Sequence, residues 1–128
     1  MYTELTGRIV DFNHAYERLT GYTAAELRQR NYVDLTPPEF HEMETQIAQR
    51  ILATGQPAQY EKEYRRKDGT RVPIWLNSFL VRGPDGQPAA LAAIIRDMTE
   101  PLRLQRLLLE VSDREQLRTG RRPNSARM

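Results

Sequence analysis

The side chains able to do chemistry in this 128-residue chain are few and scattered. There are two histidines, His14 and His41, and no cysteine. Thiolate catalysis, disulfides and cysteine-ligated metal or iron–sulfur centres are therefore excluded. Glu61 and Glu63 share one strand face, where a carboxylate pair for acid/base work would begin. With nothing reactive beside them they read as solvated charges. No glycine-rich phosphate loop and no metal-ligand cluster accompany them, so the chain is not expected to be an enzyme. The remaining pair is Asp97 and Thr99, within Asp97-Met98-Thr99-Glu100-Pro101. A carboxylate and a hydroxyl placed where strands give way to a helix hydrogen-bond backbone amides or a nearby Arg. That is the chemistry of a junction.

The elements that must position these groups centre on residues 60 to 100. Lys67-Asp68-Gly69 and Gly83-Pro84-Asp85-Gly86 are turn signals set between runs of β-branched, aromatic and aliphatic residues. Asp-Gly between such runs predicts a hairpin, because the turn needs positive φ and Gly supplies it without steric cost. Three strands in an antiparallel meander follow. Upstream, residues 1 to 5 form a short strand, Thr6-Gly7 a tight turn, and residues 8 to 12 a strand alternating at period two. Asn13 caps a short helix that Gly21 closes, and Thr23 with Glu26 makes a capping box. Thr36 caps and Pro37 opens a longer helix that Gly55 stops. Its stripe Phe40, Met43, Ile47 and Ile51 follows helical spacing. Thr99 caps an exit helix with Glu100 in its first turn. Strands at both ends with helices between predict an α+β domain with one antiparallel sheet covered on one face.

One domain fits this length. No targeting segment is expected, and no apolar run approaches the roughly 20 residues needed to span a bilayer. A reducing, cytoplasmic compartment fits the lack of cysteine. The net charge of +2 misleads about partners. The four arginines between Arg118 and Met128 exceed it, leaving the rest of the chain mildly acidic. No nucleic-acid face is therefore expected, nor direct membrane insertion.

Five pieces in order, Gly7-Arg-Ile-Val-Asp-Phe-Asn13, Leu19-Thr-Gly-Tyr22 with Glu26-Leu27, Asp34-Leu35 with Pro38-Glu39, Tyr64-Arg-Arg-Lys-Asp-Gly69 and Arg96-Asp-Met-Thr99, resemble the PAS domain. The likeness covers residues 2 to 100. It implies a sheet of about five antiparallel strands with short helices over its concave face, where a small ligand can be enclosed. It also implies that Asp97 and Thr99, as the Asp-x-Thr ending the last strand, transmit the sheet's state to a signalling helix. The domain plan is then 1–100 for the PAS domain, 101–117 for the linker helix and 118–128 for a disordered basic tail. PAS domains are sensor or dimerisation modules of histidine kinases, diguanylate cyclases and transcription regulators.

The family's cofactor branches can be compared position by position. The flavin-binding branch carries a reactive cysteine after an Asn, where this chain has Tyr32 after Asn31. The positions that would offer amides to the flavin ring are Tyr64, Ile74 and Ile95. The haem-binding branch places a His one or two turns into the long helix; His41 lies in the first turn and Glu44 nearer the expected place. A lone His near a helix start is usually a solvated residue, and His14 reads the same way. No flavin or haem is expected, and an unidentified small ligand remains open. If even positions of the first two meander strands face the helices, Tyr60, Tyr64, Ile74, Leu76 and Ser78 point inward with Leu91, Ala93 and Ile95. Phe12, Tyr32 and Phe40 close the other walls. The pocket candidates are thus Phe12, Tyr32, Phe40, Tyr60, Tyr64, Ile74, Leu76 and Ile95. The same residues suit a filled core.

That register turns Trp75, Phe79 and Val81 to the outer face, with Ala92 and Ile94, a patch a monomer does not normally leave wet. The exit helix sets Leu104, Leu107, Leu108 and Val111 at heptad-like spacing over about two heptads. Ser112 and Glu115 read as a capping box opening a further helix. The expected partners are a second copy, through the outer sheet face (Trp75, Phe79), the exit helix (Leu104, Leu107, Leu108, Val111) or both, and a covalently linked output domain. Residues 109 to 116 resemble the lead-in to the phosphoacceptor helix of one class of histidine kinases, but no His follows, so no phosphotransfer by this chain is expected. Two readings stand: a signal-input module that binds a small ligand and biases its exit helix toward an output such as a histidine kinase core, and a ligand-free dimerisation or docking module.

Overall fold

The computed structural model describes residues 1–119; the basic tail expected at the C-terminus lies, from Gly120 on, outside the described residues. The chain divides into two units, residues 1–97 and residues from 98 onward. In the first, β1 (Tyr2–Thr3), β2 (Ile9–Asp11), β3 (Ala58–Arg65), β4 (Arg71–Arg82) and β5 (Pro88–Asp97) form one antiparallel sheet in the order β2-β1-β5-β4-β3. Between β2 and β3 come α1 (His14–Thr20), α2 (Ala24–Leu27), two short 3-10 turns (Tyr32–Leu35 and Pro38–Phe40) and α3 (His41–Thr54). The five-stranded antiparallel sheet with short helices and a C-terminal helix is the architecture the sequence predicts.

Local chemistry sets most of these boundaries. Asn13 accepts from the Tyr16 amide to start α1, and Gly21 ends it in the left-handed region. Thr23 and Glu26 bond each other's backbone amides as a capping box over α2. Over the first 3-10 turn Asp34 accepts from the Asn31 amide and the Asn31 side chain from the Val33 amide, a second capping arrangement that the sequence reading did not name.

Two expectations need correction. Thr36 does not cap the long helix. Its hydroxyl donates to the Tyr32 carbonyl and accepts from Lys62, so it is committed elsewhere. The helix instead begins after Pro37 and a 3-10 turn, with α3 proper starting at His41. The consecutive prolines also remove one of the two amides, that of residue 38, which a side-chain cap at Thr36 could satisfy. The second correction concerns Ser112. It opens no new helix, because α4 runs unbroken from Thr99 to Thr119. Nothing between Leu102 and Arg118 is Gly or Pro, so no residue there stops the helix.

Register is set by burial. Tyr60 pairs with Leu76, Lys62 with Ile74 and Tyr64 with Val72, all toward the helices. Tyr64, Val72, Ile74 and Leu76 are essentially fully buried and join Ile9, Tyr16, Leu27 and Leu35 in one core. The alternate residues face outward: Trp75 pairs with Glu61 and Arg96, and Phe79 with Ala92. A one-residue slip would exchange the two sets, and four buried side chains oppose it.

Candidate ligand site beneath the sheet

Helical spacing turns Glu44, Ile47, Ala48 and Ile51 of α3 to one side, and Glu44 and Ile51 are buried. Opposite, the pleat of β3 brings Tyr60, Lys62 and Tyr64 to the same layer. The outcome is a buried ion pair, with Lys62 Nζ 2.6 Å from Glu44 Oε2. Lys62 also donates to Thr36 Oγ1 at 2.7 Å and stands over the rings of Tyr32 and Tyr64. The Tyr60 hydroxyl donates to Glu44 Oε2 at 2.7 Å and lies 3.4 Å from Ser78 Oγ. Glu44 Oε1 is buried and has no hydrogen-bond partner among the described residues. Behind this group the Tyr16 hydroxyl donates to that of Tyr64 at 3.1 Å, their rings edge to face.

Burial dominates the electrostatics. It pushes the Lys62 ammonium below its ordinary range, with the Glu44 carboxylate opposing the shift. It pushes the phenols of Tyr16, Tyr32, Tyr60 and Tyr64 above theirs; next to Glu44 a phenolate would add a second negative charge. At neutral pH the phenols of the site are therefore neutral.

A cavity of about 40 Å³ adjoins this cluster, walled by Glu44, Ile47, Ala48 and Ile51 of α3, by Tyr60, Tyr64, Leu76 and Ser78, and by Leu91, Ala92 and Ala93 of β5. Tyr32, Thr3 and Met1 complete it. Gly7 helps to place Tyr32: its carbonyl accepts from the Tyr32 amide, and its φ is +94°. A Cβ at Gly7 would fall 2.8 Å from the Tyr32 ring and 2.6 Å from Asn31 Oδ1.

Of the residues singled out by sequence, Tyr32, Tyr60, Tyr64 and Leu76 meet at this cavity. Ile74 lies in the core; Phe12 packs on it, 6.0 Å from the Tyr16 ring centre. Ile95 lines a second, larger cleft of about 510 Å³ with Asn13, Arg18, Leu19, Arg66 and Asp97. Phe40 ends the second 3-10 turn, half-buried, and does not line the cavity. Sequence reasoning missed Lys62 and gave Glu44 no role of its own. The signal for both was present, since Lys62 shares the inward register of Tyr60 and Tyr64, and Glu44 precedes Ile47 by three residues on the buried stripe.

The other candidates are placed as follows. His41 holds the Thr36 carbonyl at 2.7 Å through Nε2, and His14 sits on the surface beside Glu17. Glu63 pairs with Arg71, which also binds Glu39. Among the described residues no group of three or more His, Asp or Glu is arranged to hold a metal ion, and no helix is long and apolar enough to cross a membrane. Trp75 and Phe79 are half-buried on the outer sheet face beside Ile94, which is 58% exposed. Asp97 ends β5 opposite Ile74, and Thr99 is the first residue of α4. Within α4, Leu104, Leu107, Leu108 and Val111 are all exposed.

Comparison with known proteins gives a consistent picture. A family model described as PAS domain matches residues 1–100. The chain is 33% identical over 109 residues to the sensor histidine kinase TmoS of Ectopseudomonas mendocina, covering 83% of this chain and 11% of that protein. It is 31% identical over 121 residues to the C4-dicarboxylate transport sensor protein DctS of Rhodobacter capsulatus, covering 92% and 18%. The chain thus spans less than a fifth of either relative. Among solved structures, a PAS domain from Colwellia psychrerythraea superposes with a TM-score of 0.72 at 25% identity, covering 77% of this chain and 84% of that one.

Proposed function

The chain belongs to the PAS domain family, and from that premise we propose that it is a signal-input module. It binds a small molecule beneath the sheet and passes the change through α4 to a covalently linked output domain, such as a histidine kinase core. One observation carries this reading. Strand β5 walls the cavity with Leu91, Ala92 and Ala93, then runs through Asp97 to Thr99, where α4 begins. A ligand that displaces that wall acts on the segment that continues into the helix. The relatives named above, both sensor proteins and one by name a histidine kinase, support such an output. In this reading the domain catalyses nothing and works in the cytoplasm, where a kinase output finds ATP. Neither flavin nor haem is its ligand: Tyr32 follows Asn31 where a reactive cysteine would stand, and His41 is engaged by a backbone carbonyl.

A second reading is a ligand-free dimerisation module. The apolar outer face, with Ile94 58% exposed beside Trp75 and Phe79, favours it, as do the exposed leucines of α4. Native mass spectrometry of protein purified from its own host separates the two. A stoichiometric added mass supports the first reading. The bare chain mass, with a dimer that forms as concentration rises, supports the second.

A further inference from the structure

Ile47, Ile51, Leu76 and Leu91 give the cavity apolar walls. Among its polar side chains, Glu44, Tyr60 and Ser78 form one linked group, while the Thr3 hydroxyl donates to the Leu91 carbonyl and that of Tyr64 accepts from that of Tyr16. Glu44 is only 5% exposed, and its Oε2 is taken twice over, by Lys62 and by Tyr60. Its Oε1 has no partner among the described residues. A bare, buried carboxylate oxygen is unfavourable, so the site calls for a donor.

The surroundings restrict what that donor belongs to. Glu44 and Lys62 cancel as a pair, so an ammonium ligand would bring an uncompensated buried charge. A carboxylate ligand would face Glu44 directly. Lys62 cannot turn to receive it without leaving Glu44 and Thr36. A hydrocarbon suits the walls but leaves Oε1 bare. An uncharged hydroxyl on an alkyl body meets every condition.

We propose that this site takes a small neutral alcohol, its hydroxyl donating to Glu44 Oε1 and its alkyl chain lying against Ile47, Ile51, Leu76 and Leu91. The Ser78 hydroxyl, 3.4 Å from that of Tyr60, also lines the cavity. The inference rests on the small-ligand reading above and names its chemical class. At about 40 Å³ the cavity holds a hydroxyl-sized group or a water as it stands. An alkyl chain must therefore press back the half-buried wall residues Met1, Tyr32, Ile47 and Leu91. Because Leu91 is on β5, admission of the chain moves the strand that leads to α4. Water offers the same donor, and a ligand that displaces it must replace its hydrogen bond.

The test follows amide chemical shifts of the full chain during titration with n-butanol, n-pentane, butylammonium and butyrate at neutral pH. The expected result is a saturable response to n-butanol in α3 and β5, about tenfold weaker binding of n-pentane, and none of either ion. Ala48→Leu fills the cavity while leaving both Glu44 and Lys62 in the chain. It should keep a dispersed spectrum and lose the n-butanol response. Equal binding of n-pentane, saturable binding of either ion, or an Ala48→Leu protein that responds like the original would overturn the proposal. So would the absence of any saturable n-butanol response, which would leave water as the only partner of Oε1. The native mass measurement judges the broader small-ligand reading separately, since an added mass of another chemical class would uphold it while this proposal failed.

Discussion

Lys62 Nζ and Glu44 Oε2 meet at 2.6 Å in the layer between β3 and α3, with side chains 0% and 6% exposed. Desolvation of two charges offsets most of their attraction, so the pair contributes little net stability. Removing one partner leaves the other charged and buried, which costs about 3–5 kcal/mol. Glu44→Ala and Lys62→Met should each lower the urea midpoint accordingly. The double variant Glu44→Leu, Lys62→Met should regain most of that loss. Single variants as stable as the parent would mean that the pair is solvated in solution.

This pair also marks the limit of what the sequence makes legible. Turns, caps and strand alternation are local, so the hairpins, the caps at Asn13 and Thr23 and the inward register of Tyr60, Tyr64, Ile74 and Leu76 can be read directly. The Glu44–Lys62 contact joins residues on different elements, and a lysine on a strand reads by default as solvated. Thr36 misled for the same reason: beside two prolines it looks like a helix cap, and only the arrival of Lys62 from β3 gives its hydroxyl other work. The cavity itself depends on how α3 settles over the sheet, which no short-range pattern encodes.

Alkaline pH should unfold the domain through its tyrosines. Tyr16, Tyr60 and Tyr64 have phenol pKa values raised above the ordinary 10 by burial. The unfolded chain loses these protons first, so the stability they provide is full below pH 10 and falls as pH rises above it. Lys62, its pKa lowered from 10.5, works in the opposite direction up to that value. Phenolate absorbance distinguishes the two: the buried tyrosines should ionise together with the loss of circular dichroism. Their ionisation at an ordinary phenol pKa in a folded protein would contradict this.

Gly7→Ala tests the placement of Tyr32. The backbone at φ +94° disfavours any side chain, and the new Cβ would meet Asn31 and Tyr32 at under 3 Å. The substitution should cost more than about 1 kcal/mol in urea unfolding. It should also shift the amide signals of residues 31 to 36. An unchanged midpoint would show that this turn relaxes freely.

Dimerisation, if it uses α4, should be sensitive to charge on its leucine stripe. Leu104 and Leu108 are 56% and 70% exposed and lie four residues apart on one helix face. Leu104→Glu with Leu108→Glu should weaken self-association in sedimentation without altering the melting of residues 1–97. Trp75→Ala tests the outer sheet face in the same assay. A monomer for the unmodified chain at every concentration would rule out both surfaces.

The coupling prediction concerns Asp97. It closes β5 opposite Ile74, two residues before α4 begins, and it borders the larger cleft with Arg18 and Arg66. If α4 is the output, it has two orientations whose populations the sheet biases, and a change of one or two kcal/mol at the junction shifts them severalfold. Asp97 is exposed, so its removal should disturb packing little. Asp97→Ala should then alter signalling more than stability. The measurement is autophosphorylation of a fusion of residues 1–117 to a histidine kinase core, with the fold of each variant checked by thermal melting. Altered kinase activity with a melting temperature near the parent's would place Asp97 in the coupling. Unchanged activity in a folded fusion would mean that the sheet reaches the helix by another route.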